Sequence, residues 1–263
     1  MSRTGRLARV GAALLGFALA AAHPAASAGA LDQALAAPAT TVLYAGTLGT
    51  LPGAQSFDYF AVPGTATQTA AGGVTTLDTT ALAGEAAGYS AKAAAVPTLD
   101  RAAGYALTVT AQLQTESHAG SDKDGDGLDD RAGFSVIVLS SDLRGLELGF
   151  WTNRVWAQAD GAAVPPTGRL FTQAEGAVFD TTRLVTYTLF VRGDTYTLAG
   201  DGQALLTGDL RDYTAFTGFP DPYETPNLIF LGDDTTSASA AVRLARVEVT
   251  APLASVYLPF LAR

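Results

Sequence analysis

The feature that most constrains the fold is a succession of short alternating segments separated by glycine and aspartate turns. The clearest segment runs from Leu107 to His118, where apolar and polar residues alternate. A period of two is the pattern of a β-strand with one buried face. No long stretch has the period of a helix. The sequence therefore predicts an all-β fold, a two-sheet antiparallel sandwich of the jelly-roll type, over residues 40–250.

Within the Leu107–His118 segment, alternation separates a core face from an exposed face. The apolar residues are predicted to face the core: Leu107, Val109, Ala111 and Leu113. The polar residues are predicted to face solvent: Thr108, Thr110, Gln112, Gln114, Glu116 and His118. Further along the chain, Gly193-Asp194 and Asp201-Gly202 are typical two-residue turns and predict two successive hairpins.

Another hairpin, which turns at Thr152-Asn153, carries both tryptophans of the chain. Directly opposed residues of a hairpin share a face, which pairs Trp151 with Arg154 and Gly149 with Trp156. One face is apolar and is predicted to join the core: Leu146, Leu148, Phe150, Val155, Ala157 and Ala159. The other face is predicted to be exposed, with the glycine leaving a gap for a ligand: Glu147, Gly149, Trp151, Arg154, Trp156 and Gln158.

This tryptophan face is the candidate ligand site. Flat aromatic rings beside polar side chains match the apolar ring faces and the hydroxyls of sugars, so the predicted ligand is a carbohydrate. Glu116, His118 and Tyr223 complete the predicted set of binding residues. Residues in or near loops would add a rim: Tyr213, Asn227, Asp233 and Asp234. The alternative is that both tryptophans pack beneath a neighbouring loop.

An acidic loop with metal-ligand spacing predicts a calcium site. Its aspartates occupy relative positions 1, 3, 5 and 9: Asp122, Asp124, Asp126 and Asp130. Gly127 stands where such loops turn sharply, and the carbonyl of Leu128 is the next ligand. Position 12 is Gly133 instead of the glutamate of a helix–loop–helix calcium site, so the loop resembles extracellular thrombospondin type 3 repeats. The alternative is a solvated polar turn.

The N-terminus predicts export. Arg3, Arg6 and Arg9 precede an apolar run over residues 10–22, and the small residues 26–28 resemble a cleavage site, as in a secretory signal peptide over residues 1–28. The run is shorter than the ~20 residues that span a bilayer. Residues 29–39 are predicted to be a flexible lead-in and residues 251–263 a C-terminal tail. We expect a secreted or cell-surface protein without a membrane span in the mature chain.

The charge balance and the absence of cysteine limit the partners and the means of stabilisation. Removal of the three leader arginines from 16 basic residues leaves 13 against 25 acidic residues, a net charge of −12. Such a surface disfavours nucleic acids and anionic membranes. Because an exported chain without cysteine has no disulfides, its core and any bound metal must hold the fold.

Several short sequence segments resemble those of a known protein family. The closing strand and the segment Leu228–Gly232 are similar to those of concanavalin A-like, laminin-G-like lectin/glucanase domains. The phrases Leu43–Pro52, Glu116–His118, Arg131–Ser135, Glu147–Trp151, Arg211–Tyr213 and Pro222–Asn227 resemble the choice-of-anchor Y group of exported bacterial proteins. The resemblance covers nearly the whole mature chain and implies an extracellular β-sandwich, but no reaction. The acidic loop and the lack of a sorting tail with a membrane helix are departures.

Three classes of function follow from these residues. We expect a noncatalytic glycan-binding or adhesive protein, because only one carboxylate, Glu147, lies on the candidate face. The alternative enzyme is a glycoside hydrolase, which requires two carboxylates, and Glu116 is the partner that the sequence offers. A purely structural surface protein is the third class. A Ser-His-Asp hydrolase is disfavoured because no G-x-S-x-G motif accompanies the one mature histidine, His118.

Overall fold

A computed structural model describes residues 37–82, 84–118, 120–161, 169–219 and 221–253. The predicted signal peptide, nearly all of the lead-in and the tail from residue 254 onward lie outside the described residues. Within the described ranges, no helix is both long enough and apolar enough to cross a membrane.

Fifteen strands and two 3₁₀ turns make up the regular structure of the described residues. The 3₁₀ turns are Gly46–Leu48 and Pro52–Ala54. The strands are β1 Ala39–Ala45, β2 Phe57–Val62, β3 Thr67–Ala71, β4 Val74–Asp78, β5 Ala86–Ala91, β6 Tyr105–His118, β7 Ser135–Leu139, β8 Gly145–Trp151, β9 Arg154–Asp160, β10 Leu170–Val178, β11 Val185–Arg192, β12 Thr195–Gly200, β13 Gln203–Asp209, β14 Ile229–Asp233 and β15 Ala238–Ala251.

The strands form two antiparallel sheets, as predicted. The eight-stranded sheet has the order β13-β12-β11-β6-β15-β4-β3, with β1 also pairing β15. The seven-stranded sheet has the order β10-β9-β8-β7-β14-β5-β2. Consecutive strands β6 and β7 lie in different sheets, so the acidic loop between them crosses one end of the sandwich.

The core lies between the two sheets and follows the alternation of the sequence. Leu107, Val109, Ala111 and Leu113 of β6 are all buried in it. The predicted hairpins at residues 193–194 and 201–202 are confirmed as β11–β12 and β12–β13. In the tryptophan hairpin, the predicted pairs of Trp151 with Arg154 and Gly149 with Trp156 are also confirmed.

The seven-stranded sheet is also covered on its outer face, which the sequence analysis did not predict. A second apolar cluster lies there, formed by sheet residues and by the chain before β14: Ile137, Leu139, Phe171, Tyr213, Tyr223, Leu228 and Phe230. Every residue of β7, β8 and β14 is buried. Strands buried on both faces are rich in apolar residues throughout, as Ser135–Leu139 is.

Candidate functional site

The tryptophan face is buried, so its predicted exposure is wrong. Trp156 is 0% exposed, and Glu147 and Gln158 are each 1% exposed. Trp151 is 8% exposed. Two segments cover this face. Tyr223 of the second apolar cluster covers Glu147, and the chain that leaves the acidic loop covers the tryptophans and Gln158, since Ala132 packs on both rings and Gln158 Nε2 donates to the carbonyl of Asp130 at 3.2 Å. The alternative of packing beneath neighbouring segments therefore describes the tryptophans.

Gly149 does not leave room for a ligand. A Cβ atom at this position would lie 2.5 Å from the indole of Trp156, so the ring itself fills the predicted gap. Trp151 packs against Trp156 and Ala132, and its Nε1 donates a hydrogen bond to the carbonyl of Arg131 at 2.8 Å. The two rings thus anchor the chain that leaves the acidic loop.

Tyr213, predicted for the rim, and Tyr223, predicted for the ligand site, instead form hydrogen bonds with the buried face. Tyr213 Oη donates to the carbonyl of Gln158 at 2.7 Å and accepts the backbone N–H of Glu147 at 3.2 Å. Tyr223 Oη donates to Glu147 Oε2 at 2.5 Å. Both tyrosines are buried, so their ring faces do not form an exposed rim.

Asn227 and Asp233 of the predicted rim, and Arg154, also form hydrogen bonds within the protein. Asn227 accepts the backbone N–H of Leu99 at 2.8 Å. Asp233 is buried and accepts the hydroxyl of Thr79 at 2.9 Å. Arg154 is partly exposed, and its Nε donates to Gln173 Oε1 at 2.8 Å, towards the edge of the sheet.

Glu116 and His118 lie at the end of β6 in the eight-stranded sheet, whereas Glu147 lies on β8 in the seven-stranded sheet. His118 Nδ1 is hydrogen-bonded to Glu116 Oε1, and its ring stacks on Trp151 with centroids 4.0 Å apart. Burial raises the pKa of Glu116, while the contact with His118 lowers it. Glu116 is therefore paired with His118, and not with Glu147 as the two carboxylates of a glycoside hydrolase would be.

The carboxyl group that lies beside Glu147 is that of Asp234, which follows β14. Burial, and then the charge of Asp234, raise the pKa of Glu147 to about 8. Burial also raises the pKa of Asp234, against the lowering effects of Ser135, Arg131 and Glu147. At neutral pH the pair therefore holds a proton, as adjacent buried carboxyl groups do. The sequence could not show this pairing because β7 lies between β8 and β14 in the sheet.

A pocket of about 140 Å³ opens beside this carboxyl pair. Its wall combines four aromatic rings with one cation, one carboxylate and three hydroxyl groups: Phe171, Phe216, Phe219, Tyr223, Arg131, Asp234, Thr235, Thr236 and Ser237. Phe219 is 82% exposed. Of the predicted ligand residues, only Tyr223 lies in this wall, and Asp234 was predicted as rim. Phe216 and Phe219 were not predicted from the sequence, although the glycine and the proline on either side of Phe219 indicate a loop.

Several buried polar atoms lack hydrogen-bond partners on the outer face of the seven-stranded sheet or directly after β14. Among the described residues they include Ser135 Oγ, Trp156 Nε1, Gln158 Oε1 and Asp234 Oδ1. Most buried polar side-chain atoms in proteins have a partner, so such a group needs an explanation. Asp234 is the one of the four that also lines the pocket.

The acidic loop brings three of its four aspartates together. Carboxylate oxygens of Asp122, Asp124 and Asp130 lie within 4.8 Å of one another. Asp126 is not in this group, and its Oδ1 accepts the backbone N–H of Leu128 at 2.8 Å. The N–H of Gly127 donates to Asp122 Oδ2 at 2.9 Å and lowers the pKa of that carboxyl group. The turn predicted at Gly127 thus orients the first aspartate.

The loop is attached to the seven-stranded sheet next to the pocket. Asp130 Oδ1 accepts the N–H of Gln173 at 3.0 Å, and Gln173 Nε2 donates to the carbonyl of Asp129 at 2.6 Å. Lys123 Nζ lies 5.7 Å and Arg131 Cζ 5.4 Å from the centre of the Phe171 ring. One wall of the pocket therefore depends on the position of the acidic loop.

No protein-family model and no curated protein sequence matches the chain, so the resemblance to the choice-of-anchor Y group stays a prediction. A carbohydrate esterase of the Shiga toxin-encoding bacteriophage phi24B is similar in structure, with a TM-score of 0.50, 15% identity, and coverage of 81% of this chain and 99% of that one.

Two further solved structures are similar at lower scores. The Crh5 transglycosylase in complex with NAG has a TM-score of 0.46 at 14% identity, covering 82% of this chain and 84% of that one. The exoplasmic domain of VIP36, in a Ca²⁺/Man3GlcNAc-bound form, has a TM-score of 0.45 at 10% identity, covering 78% and 87%. At these identities the likeness extends to the fold alone, and this chain is a two-sheet antiparallel β-sandwich.

Proposed function

We propose that this protein is exported and binds glycans, without cleaving them, in the pocket between the acidic loop and the Tyr213–Tyr223 segment. The observation that carries the proposal is the composition of the wall, in which aromatic rings stand beside Arg131, Asp234 and hydroxyl groups. Sugars need apolar surfaces for their ring faces and polar groups for their hydroxyls, and small-ligand sites combine the two.

The carboxyl pair supports binding over hydrolysis. Displacement at a glycosidic bond needs two carboxyl groups that flank the bond, about 5 Å or more apart. Glu147 and Asp234 interact directly through their side chains, and Glu147 is 1% exposed. The two groups therefore stand on the same side of any sugar in the pocket.

Phe219→Ala is expected to weaken glycan binding about tenfold or more without changing stability, because the ring is exposed at the pocket and is a binding anchor. A glycan array identifies a ligand, and calorimetry then compares the dissociation constants of wild type and variant. Leu48→Ala is the matched control, since Leu48 is also exposed, at 67%, but lies on the first 3₁₀ turn. Equal losses in both variants, or unchanged binding in Phe219→Ala, would refute the assignment of the pocket.

We also propose that the acidic loop binds one calcium ion. Three carboxylates within 4.8 Å suit a hard cation with oxygen ligands. Asp130 is 1% exposed, and burial raises its pKa, so a bound cation would offset the cost of charging it. Asp122, Asp124 and Asp130 would supply side-chain ligands and Leu128 a carbonyl, which leaves Asp126 to orient the turn.

Calcium at a hundredfold excess over its dissociation constant should stabilise the fold by about 2.7 kcal/mol through mass action. Asp124→Asn keeps the shape of the side chain but removes a ligand charge, so the melting temperature should respond much less to calcium. Asp58→Asn is the control, since Asp58 is exposed on β2. An unchanged calcium response in Asp124→Asn would show that the ion binds elsewhere.

A further inference from the structure

We propose that the sugar bound in this pocket carries a carboxylate, as uronic acids do, and that Arg131 binds that carboxylate while Lys123 adds positive charge beside the same aromatic ring. The inference deepens the proposed function and rests on it, because it names the class of glycan that the same pocket takes.

Arg131 presents unused hydrogen-bond donors to the pocket. Its guanidinium lies over Phe171 and lines the cavity. In the described ranges, no carboxylate lies within ion-pair distance of it, and its side chain donates no hydrogen bond. The planar guanidinium fork matches a carboxylate in a bidentate arrangement, which combines strength with a fixed geometry.

Lys123 adds a second cation at the same aromatic ring. Its Nζ also lies over Phe171, and it has no ion pair or side-chain hydrogen bond with the described residues. Asp122, Asp124 and Asp126 accept backbone N–H groups of the loop itself, whereas Asp130 is close enough to raise the pKa of Lys123 against the lowering effect of burial. Lys123 therefore extends the positive region from Arg131 towards the loop.

The carboxyl pair does not supply Arg131 with an ion-pair partner. Glu147 and Asp234 share a proton at neutral pH, and no carboxylate among the described residues lies within ion-pair distance of the guanidinium. A carboxylate of the ligand would be that partner. Asp234, which lines the pocket with Arg131, would accept a hydroxyl of the same sugar, and such an acceptor beside a cation suits a uronate with its neighbouring hydroxyl groups.

Phe171 is held in a rare backbone conformation at the centre of this arrangement. Its φ is +60°, in the left-handed region that non-glycine residues rarely adopt. Such residues persist where the surroundings fix them and concentrate at ligand sites. The conformation places the ring against Lys123, Arg131 and Tyr223, so that it supports both cations at the pocket.

The test compares acidic oligosaccharides with their own methyl esters, which keep the sugar skeleton and lose the charge. Trimers of galacturonate, glucuronate and mannuronate are titrated by calorimetry at a fixed calcium concentration. We expect at least one acid to bind about tenfold or more tightly than its ester, as a charge-assisted hydrogen bond provides. Arg131→Gln should remove this preference, and Lys123→Gln should reduce it.

Arg246→Gln is the matched control, since it removes the same charge from the eight-stranded sheet, where Arg246 pairs with Glu248. A preference that survives in Arg246→Gln and is lost in a folded Arg131→Gln supports the inference. If Arg131→Gln does not fold, a reduced preference in Lys123→Gln is required instead, and an unchanged preference overturns the inference. Acids and esters that bind equally overturn the inference but leave glycan binding intact. A pocket that binds no glycan, neutral or acidic, overturns both proposals.

Discussion

Replacement of Trp156 by alanine is expected to lower the free energy of unfolding by about 3–5 kcal/mol, the usual cost of deleting a buried aromatic ring. Trp156 is fully buried, and its ring packs over Gly149 and against Trp151. Urea denaturation, with the midpoint and slope compared between variant and wild type, measures the loss.

Phe219→Ala serves as the control for this measurement, because the same kind of truncation at an exposed ring should change stability little. In the native protein, a water-soluble quencher should fail to reach the fluorescence of Trp156. A Trp156→Ala variant with an unchanged midpoint would mean that the outer layer does not cover this part of the sheet, and the exposed tryptophan face would regain its place as a candidate site.

The stability of the fold is expected to fall as the pH rises from about 4.5 to about 8. Burial raises the pKa of Glu147 from 4.5 and the pKa of Asp233 from 3.8, each to about 8. A group whose folded pKa is raised binds its proton more tightly in the folded state. Its contribution is therefore complete below the unfolded pKa and is lost as the pH passes the folded one. For Glu147 the loss is on the order of 3–5 kcal/mol, at about 1.4 kcal/mol per pH unit.

Glu147→Gln isolates this contribution, because the amide keeps an oxygen for the hydroxyl of Tyr223 and cannot ionise. The variant should gain stability relative to wild type as the pH rises from 5 to 9. Denaturation midpoints at pH 5, 7 and 9 measure the difference, with the exposed Asp58→Asn as control. A constant difference across this range would show that Glu147 is not the group that titrates.

Other carboxyl groups make the fold less stable at low pH, because the fold lowers their pKa values. The N–H of Thr186 lowers the pKa of Asp201, and the hydroxyl of Thr214 lowers the pKa of Asp212. Their stabilising contributions are present above the unfolded pKa values and are lost as the pH falls through the folded ones. We therefore expect maximal stability in the mildly acidic range, between the two sets of groups.

Local patterns predicted the strands and the hairpins of this protein. The period of two in β6 identifies the buried residues correctly because each strand places alternate side chains on opposite faces. The pairing of Gly149 with Trp156 follows from the turn at Thr152-Asn153 alone. The spacing of the aspartates likewise predicted the cluster of Asp122, Asp124 and Asp130, since these ligands are close in the chain.

The prediction that the outer face of β8 and β9 in the seven-stranded sheet is exposed to solvent was wrong. Polar residues on β8 and β9 indicated an exposed face, yet Tyr213 and Tyr223 from a distant segment satisfy them by hydrogen bonds. The apolar residues Ile137 and Phe230, on the neighbouring strands, indicate that this face is covered. The pocket itself depends on contacts between segments far apart in the chain, which a single sequence does not specify.

The crossing of the acidic loop from β6 to β7 has a consequence for the proposed binding of glycans. The loop joins one sheet to the other, and Lys123 and Arg131 lie within it or at its end. Local segments with few buried contacts open at lower free energy than the core does. Removal of a bound cation should thus release the pocket wall first, so that ligand binding disappears at chelator concentrations under which the sandwich is still fully folded.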